Sequence, residues 1–405
     1  MQSEAKTEQR SNRPAYPVRT DFRRRVVCIL GMPFDVVTLQ EAVQKVGDAA
    51  AHDVRCFLST PNLNFAVAGM EGGSAADVFR DSVLRSDLSV ADGMPLVWIA
   101  RLLGLPIRER VAGSTLFEAL RHGEARRTNA GLMSVYFFGG PDGVAERAAE
   151  KLNASSSWLR CVGYRSPGFA SVEEMSDAET IDAINASDAD FLVVALGAKK
   201  GQAWIERNLS RLQVPVVSHL GAVVNFVAGT VSRAPSWVGR SGMEWLWRIK
   251  EEPALWKRYW NDGWMLLKLA VTRIVPCAVA TRLRRRDAEA MARARVAVRM
   301  YGRSCRIVAS GVWMEGNLSA LRDACEQATA SPCDVHVDFA RVVQIDSACI
   351  ALLLLLYGHQ TKIARSFVLH NIRPAVMRTM RLHCADWLVA YDDRAQRFPQ
   401  QTVLP

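Results

Sequence analysis

Between Val26 and Val217 short runs of β-branched and aromatic residues recur, and helical or turn-like stretches separate them: VVCILG, RCFLST, LMSVYFFGG, RCVGY, DFLVVALGA and VPVVSHLGA. Short apolar runs without alternation read as strands buried on both faces. The intervening stretches, such as TLQEAVQKVGDAA with Thr38 and Glu41 at capping-box spacing, supply helical crossovers. This alternation predicts an α/β fold, a mostly parallel sheet with helices on both faces. Ligands of such sheets gather beyond the carboxyl ends of the strands, so strand-end residues are the first candidates for chemistry.

The chain's 405 residues exceed one ordinary domain, and a hydrophobic fraction of 49% is ample for two cores. After Ala222 the pattern turns helical and aromatic, and the amphipathic stretch from Trp264 to Arg286 ends in RLRRR. A second α/β pattern begins near Arg295, with RIVASGVWM and CDVHVDFAR as strands and LSALRDACEQATA and DSACIALLLLLYGHQTK as helices. The expected organisation is therefore a disordered basic tail (1–25), a first α/β domain with a helical C-terminal appendage (26–262), a basic amphipathic linker (263–294) and a small second domain (295–398). Nine scattered cysteines without a CxxC pair, and no secretory signal, imply reduced thiols in the cytoplasm. The apolar run WMLLKLAVTRIVPCAVA is interrupted by Lys268, Arg273 and Pro276 and is short of the ~20 residues of a span, so it is expected to lie at a membrane interface.

The net charge of +10 is concentrated. From Arg233 to Arg286 twelve Lys/Arg face four Asp/Glu, a surplus of eight, and residues 233–260 alone carry five tryptophans. Tryptophan suits a surface with one apolar and one wet side, and arginine grips phosphate through a planar fork. Lipid head groups or a diphosphate would use both, and composition does not choose between them.

Individual motifs leave alternatives open. STPNLNFAV sets Thr60 and Asn62 just after a strand, as a helix cap or as ligand-binding groups. VADGMPLVWIARLLG places Asp92 at a strand end, as a cap or a catalytic base, and RERVAGS adds Arg110 nearby. FFGGPDGVAERAAEKL turns from strand to helix through Gly139 and Gly140, which would either form a plain turn or present backbone N–H groups to a phosphate. The DAD run at 188–190 precedes its strand and is read as structural. No zinc-type His/Cys cluster, P-loop or G-x-S-x-G is present, and no metal is expected.

In combination these pieces are far more specific. TPN, VADGMPLVW, RERVAG, FFGGPDGV, LVVALGAKKGQAWIERN, GAVVNFVAGTVSRAPSW and GMEWLWRIKEEP occur in this order. Together they closely resemble the WecG/TagA/CpsF glycosyltransferase family of bacterial surface-polymer biosynthesis. The resemblance implies a Rossmann-like fold and an inverting, metal-free transfer from a UDP-sugar to a polyprenyl-diphosphate-linked acceptor, with no cofactor. It would occur at the inner face of the cytoplasmic membrane. On this reading Asp92 is the general base on the acceptor hydroxyl, while Thr60, Asn62 and Arg110 position substrate. Arg248 and Arg258 offset the charge of the departing diphosphate, with Arg233 and Arg240 less closely matched. Where the family reads Pro-Lys-Gln-Glu this chain has Lys199-Lys200-Gly201-Gln202, so the donor-contacting amide is lost or shifted to Gln202. Asn225 stands where an aspartate is common, and Ala254 where an arginine is common.

The segment VVQIDSACIALLLLLYGHQ, with its flanking strands, resembles the STAS domain over roughly residues 298–392. Signalling members of that fold carry a phosphorylatable hydroxyl in a D-S-x-G loop. Ser347 keeps the hydroxyl, while Ala348 and Cys349 follow it. Ser347 is then either a phosphate acceptor or a helix cap in a fixed docking module with a protein partner. The rival to an enzyme is a transferase-like sensor that has lost turnover and signals through the STAS domain.

Overall fold

The computed structural model describes residues 16–70, 74–123, 132–156, 158–232, 244–251, 256–283 and 287–390, without the side chains of 74–78, 244, 248, 251, 258 and 390. Two compact units emerge. The first comprises Val37–Val97 and Ile107–Gly263 with the described residues before Val18, and the second Val18–Val36, Trp98–Pro106 and the residues from Trp264 onward.

The chain opens with a hairpin of β1 (Val26–Ile29) and β2 (Met32–Asp35), joined by Leu30 and Gly31 at φ 51° and 76°. Positive φ at both positions is what a tight two-residue hairpin requires. VVCILG is thus a strand, but it pairs antiparallel within the second unit and does not join the parallel sheet. Of the expected tail, residues 1–15 lie outside the described residues, and residues 16–25 are more ordered than their composition implies. Tyr16 donates to Asp53 at 2.7 Å with the Arg55 guanidinium 4.1 Å from its ring centre, and residues 18–25 belong to the second unit.

The first unit continues with α1 (Leu39–His52), whose capping box is formed by Thr38 and Glu41 as expected. There follow β3 (Cys56–Ser59), α2 (Leu63–Ala68), α3 (Ser74–Leu84), β4 (Leu88–Ser89), α4 (Met94–Leu103, whose residues from Trp98 belong to the second unit), α5 (Gly113–Arg121), β5 (Met133–Gly139), α6 (Val144–Ser155), β6 (Leu159–Arg165), α7 (Ala178–Ala186), β7 (Phe191–Ala195), α8 (Ala198–Asn208), β8 (Val216–His219), α9 (Val223–Ala228) and α10 (Glu244–Glu251). Six strands form one parallel sheet in the order β4-β3-β8-β7-β5-β6. Its double cover follows from side-chain alternation. Val135 and Phe137 of β5 enter one apolar cluster with α1, α5, α6 and α9, while Tyr136 and Phe138 enter another with α7 and α8. Asp190 takes the expected structural place, accepting from Ser134 N at 2.9 Å where β5 and β7 begin.

Helix α11 (Trp256–Leu269) leaves the first unit and runs through a π-helical turn, Ala270–Ile274, into α12 (Val275–Leu283). Pro276 was expected to break this run; the helix instead continues from Tyr259 to Leu283. The π turn explains it, because a wide turn relieves the ladder at the point where proline offers no N–H. The helix is long and apolar enough to cross a membrane.

The second unit adds α13 (Ala288–Ala292), β9 (Arg295–Tyr301), β10 (Ser304–Trp313), α14 (Ser319–Thr329), β11 (Asp334–Ile345), α15 (Ser347–Lys362), β12 (Phe367–His370), α16 (Pro374–Leu382) and α17 (Trp387–Ala390). Its sheet order is β12-β11-β10-β9, antiparallel only between β10 and β9. All nine cysteines are free and buried.

Candidate active site

The carboxyl edge of β3 and β4 brings four of the expected residues together. Asn62 caps α2, its Oδ1 accepting from Phe65 N at 3.2 Å. The Asp92 backbone N donates to Pro61 O at 3.0 Å, which fixes the loop after β4 against the loop after β3. The Asp92 carboxylate is partly exposed, pairs with Arg110 Nε at 3.5 Å and accepts weakly from Gly113 N at 3.4 Å. Thr60 is buried, and a Cβ on Gly113 would stand 3.3 Å from its methyl group. Asp92 is thus not a core carboxylate. It lies at the mouth of the sheet within ion-pair distance of the Arg110 guanidinium.

A second group forms at the carboxyl ends of β5 and β8. Gly139 has φ 105°, and a Cβ there would meet Ala195 O at 2.7 Å, so only glycine allows this approach of β5 to β7. Gly140 donates its N–H to Ala195 O at 2.9 Å and packs beside Val224 of α9. Its N–H is therefore committed to the fold and is not presented to a phosphate. Asn225 is half-buried, with Oδ1 accepting from Thr230 Oγ1 at 3.3 Å.

Gln202, the remaining amide, lies on α8. It is buried, and its Oε1 accepts from Ser82 Oγ at 2.8 Å, in contact with α3. One residue along a helix turns the side chain through about 100°, so an amide at 202 faces a different neighbour from one at 201. Position 201 faces His219. A Cβ on Gly201 would collide with the imidazole, which fills the room a longer side chain would need. His219 is the residue that sequence reading missed here, because its partner lies 18 positions away and only the fold joins them.

The His219 ring is buried, its Nε2 has no hydrogen-bond partner in the structure, and burial lowers its pKa from 6.5 to about 4. Below pH 6.5 the unfolded chain takes up a proton that the folded site refuses. Stability is then full above that pH and is lost as pH falls toward 4, by roughly 2 kcal/mol at pH 5. Urea midpoints at pH 7 and pH 5 should differ less in His219→Gln than in the wild type; an equal drop would remove His219 as the cause.

The arginines of the C-terminal appendage, the flap over the site on the family reading, are described only in part. Arg233 and Arg240 lie outside the described residues, while Arg248 and Arg258 lie on α10 and α11 with side chains outside the description. The backbone of α11 is nonetheless tied to the site. Asp262, one turn after Arg258, is buried and accepts from Asn64 Nδ2 at 3.1 Å, and Asn64 lies two residues beyond Asn62. Nothing in the sequence marked this pin. Among the described residues no cluster of three His, Cys, Asp or Glu could hold a metal ion.

Residues 27–277 match the model of the Glycosyl transferase WecG/TagA/CpsF family, and residues 296–389 match the Mlab, STAS domain. An N-acetylglucosaminyldiphosphoundecaprenol N-acetyl-beta-D-mannosaminyltransferase of Bacillus spizizenii is 30% identical over 44% of this chain and 66% of its own length. Proteins with the same name from Bacillus subtilis (26% identity, 50% of this chain, 73% of theirs) and Staphylococcus aureus (24%, 57% and 86%) also match. Among solved structures, an arylmalonate decarboxylase mutant aligns at 21% identity over 49% of this chain and 79% of that one, with a TM-score of 0.18, too low to bear on the fold.

Proposed function

Because the chain belongs to the WecG/TagA/CpsF glycosyltransferase family and carries a STAS domain behind it, we propose that it transfers a sugar from a UDP-sugar to a polyprenyl-diphosphate-linked acceptor, with inversion, during assembly of a bacterial surface polysaccharide. The observation that carries this reading is the Asp92 carboxylate at the sheet's carboxyl edge, oriented by Arg110, beside a helix that bears Arg258 and is pinned through Asp262. Asp92 takes the proton of the acceptor hydroxyl as that oxygen bonds the anomeric carbon and the bond to UDP breaks. Arg248 and Arg258 offset the charge that gathers on the departing diphosphate, a task guanidinium groups perform without a metal. The relatives' names specify N-acetylmannosaminyl transfer, which supports an N-acetylhexosamine or hexose donor. Gly201 stands where the family has an amide, with the His219 ring packed against it, so the sugar itself is not carried over.

The test is UDP release by the purified full-length chain with a panel of UDP-sugars and a polyprenyl-diphosphate-linked N-acetylglucosamine in detergent. Acceptor-dependent release with at least one donor is expected. Tight donor binding with no turnover for any donor would point to the rival reading, a sensor acting through the STAS domain.

Peripheral attachment to the inner face of the cytoplasmic membrane accompanies this chemistry. Trp260, Trp264, Leu267, Val271, Val279 and Leu283 are exposed along one stripe of the long helix, Trp264 by 68% and Val271 by 66%. Its other side is occupied: Arg273 donates to Arg381 O at 2.7 Å, and Cys277 lies 3.4 Å from His383 Nε2, with Ile274 and Ala278 buried. A helix docked on protein along one side and apolar on the other suits the membrane interface better than a span. Introducing charge with Trp264→Glu and Val271→Glu should cut binding to anionic-lipid vesicles at least ~tenfold without loss of fold. Unchanged co-sedimentation would remove the stripe as the anchor.

A further inference from the structure

Helix α15 is buried over fourteen consecutive residues, Ser347–Gln360, although a helix packed on one sheet face ordinarily keeps a wet side. The outer side is covered by the N-terminal hairpin, since α15 packs against β1 and β2. The fit is polar as well as apolar. Ser347 Oγ accepts from Cys28 N at 2.9 Å and donates to Cys28 O at 2.9 Å, so the hydroxyl pairs with β1 as a neighbouring strand would.

The segment leading into the hairpin is fastened with charge. Arg23 pairs with Asp323 and Glu326, and Arg25 with Glu315 at 2.6 Å. Arg322 donates to the carbonyls of Phe22 and Arg24. Arg24 turns inward and pairs with Asp35 at 3.2 Å inside the hairpin itself. The residues that composition assigns to a loose basic tail therefore have acidic partners on and beside α14. Beyond Val36 the chain runs directly into α1, so the C-terminal domain holds the chain both before and after the transferase sheet.

We propose that the hairpin, residues 18–36, is the resident partner of the STAS face that begins at Ser347. The domain engages its own chain in cis, and neither a separate protein nor a phosphate reaches Ser347 until the hairpin leaves. A phosphate on this hydroxyl would displace both bonds to Cys28 and add about two negative charges beside Asp346, which is 3.0 Å from Cys349 N as the cap of α15, and near Glu315. The hydroxyl is thus a latch that modification would hold open once the hairpin has left, not an exposed acceptor.

Maleimide labelling of the native full-length chain, mapped by peptide mass spectrometry, reads this directly. In the wild type Cys28 should stay protected along with Cys305 and Cys325, which are buried in the same unit. In Ser347→Glu, Cys28 should react at least ~tenfold faster while Cys305 and Cys325 remain protected. Cys28 as protected in Ser347→Glu as in the wild type, in a folded domain, overturns the latch. If Ser347→Glu unfolds the domain, exposing all three thiols, hydrogen exchange of the wild type decides. Amides of β1 protected like those of α15 sustain the proposal, and exchange at the unfolded rate overturns it.

Discussion

Asp92→Asn is expected to lower turnover by roughly 10²–10⁴-fold, the range in which a positioned base contributes. The substitution keeps the shape of the side chain and its acceptor toward Gly113 N, but removes the basic oxygen and the charge facing Arg110. Folding should be little affected, because this carboxylate is partly exposed and its surroundings are loop backbone rather than core. The loss should therefore appear in kcat, with donor KM changing much less. A comparable rise in KM with kcat preserved would make Asp92 a binding group.

Arg258→Ala should raise the barrier by about 2–4 kcal/mol, as loss of a group that meets developing charge does. Arg248→Ala should behave alike if both guanidinium groups meet the diphosphate. The link between Asn64 and Asp262 provides an independent lever on α11. Asp262→Ala leaves the arginine in place but releases its helix, so a smaller loss in the same rate constant is expected. If Asp262→Ala were silent while Arg258→Ala was severe, the pin would have no part in positioning the flap.

The parallel sheet was legible because its inner strands are covered on both faces and read as unbroken apolar runs, while the edge strand β6 keeps one face exposed. The pairing of VVCILG was not. A strand's own residues do not say whether it joins a parallel sheet or turns back as a hairpin, and here Leu30 and Gly31 at positive φ make the turn. The meeting of Thr60, Asn62 and Asp92 followed from motifs that end strands, while Arg110 follows helix α4 and came only with the family resemblance. The fate of the lost amide did not follow, because the helical turn between 201 and 202 sends neighbouring side chains to different partners. Arg23 and Arg25 read as part of a solvated tail for want of visible partners, which lie some 300 positions later in the chain. Local pattern thus revealed the elements and the strand-end site. Contacts between distant segments, which decide the latch, the pin and the place of His219, required the fold.

The role of Asp92 as base is tested most directly by the rate of UDP release from Asp92→Ala with formate added as a replacement carboxylate. Formate is expected to raise that rate at least ~tenfold, within the 10²–10⁴-fold range of general-base catalysis, while leaving Arg258→Ala unaccelerated. A rate that formate leaves unchanged, or that already equals the wild type, contradicts the role given to this carboxylate.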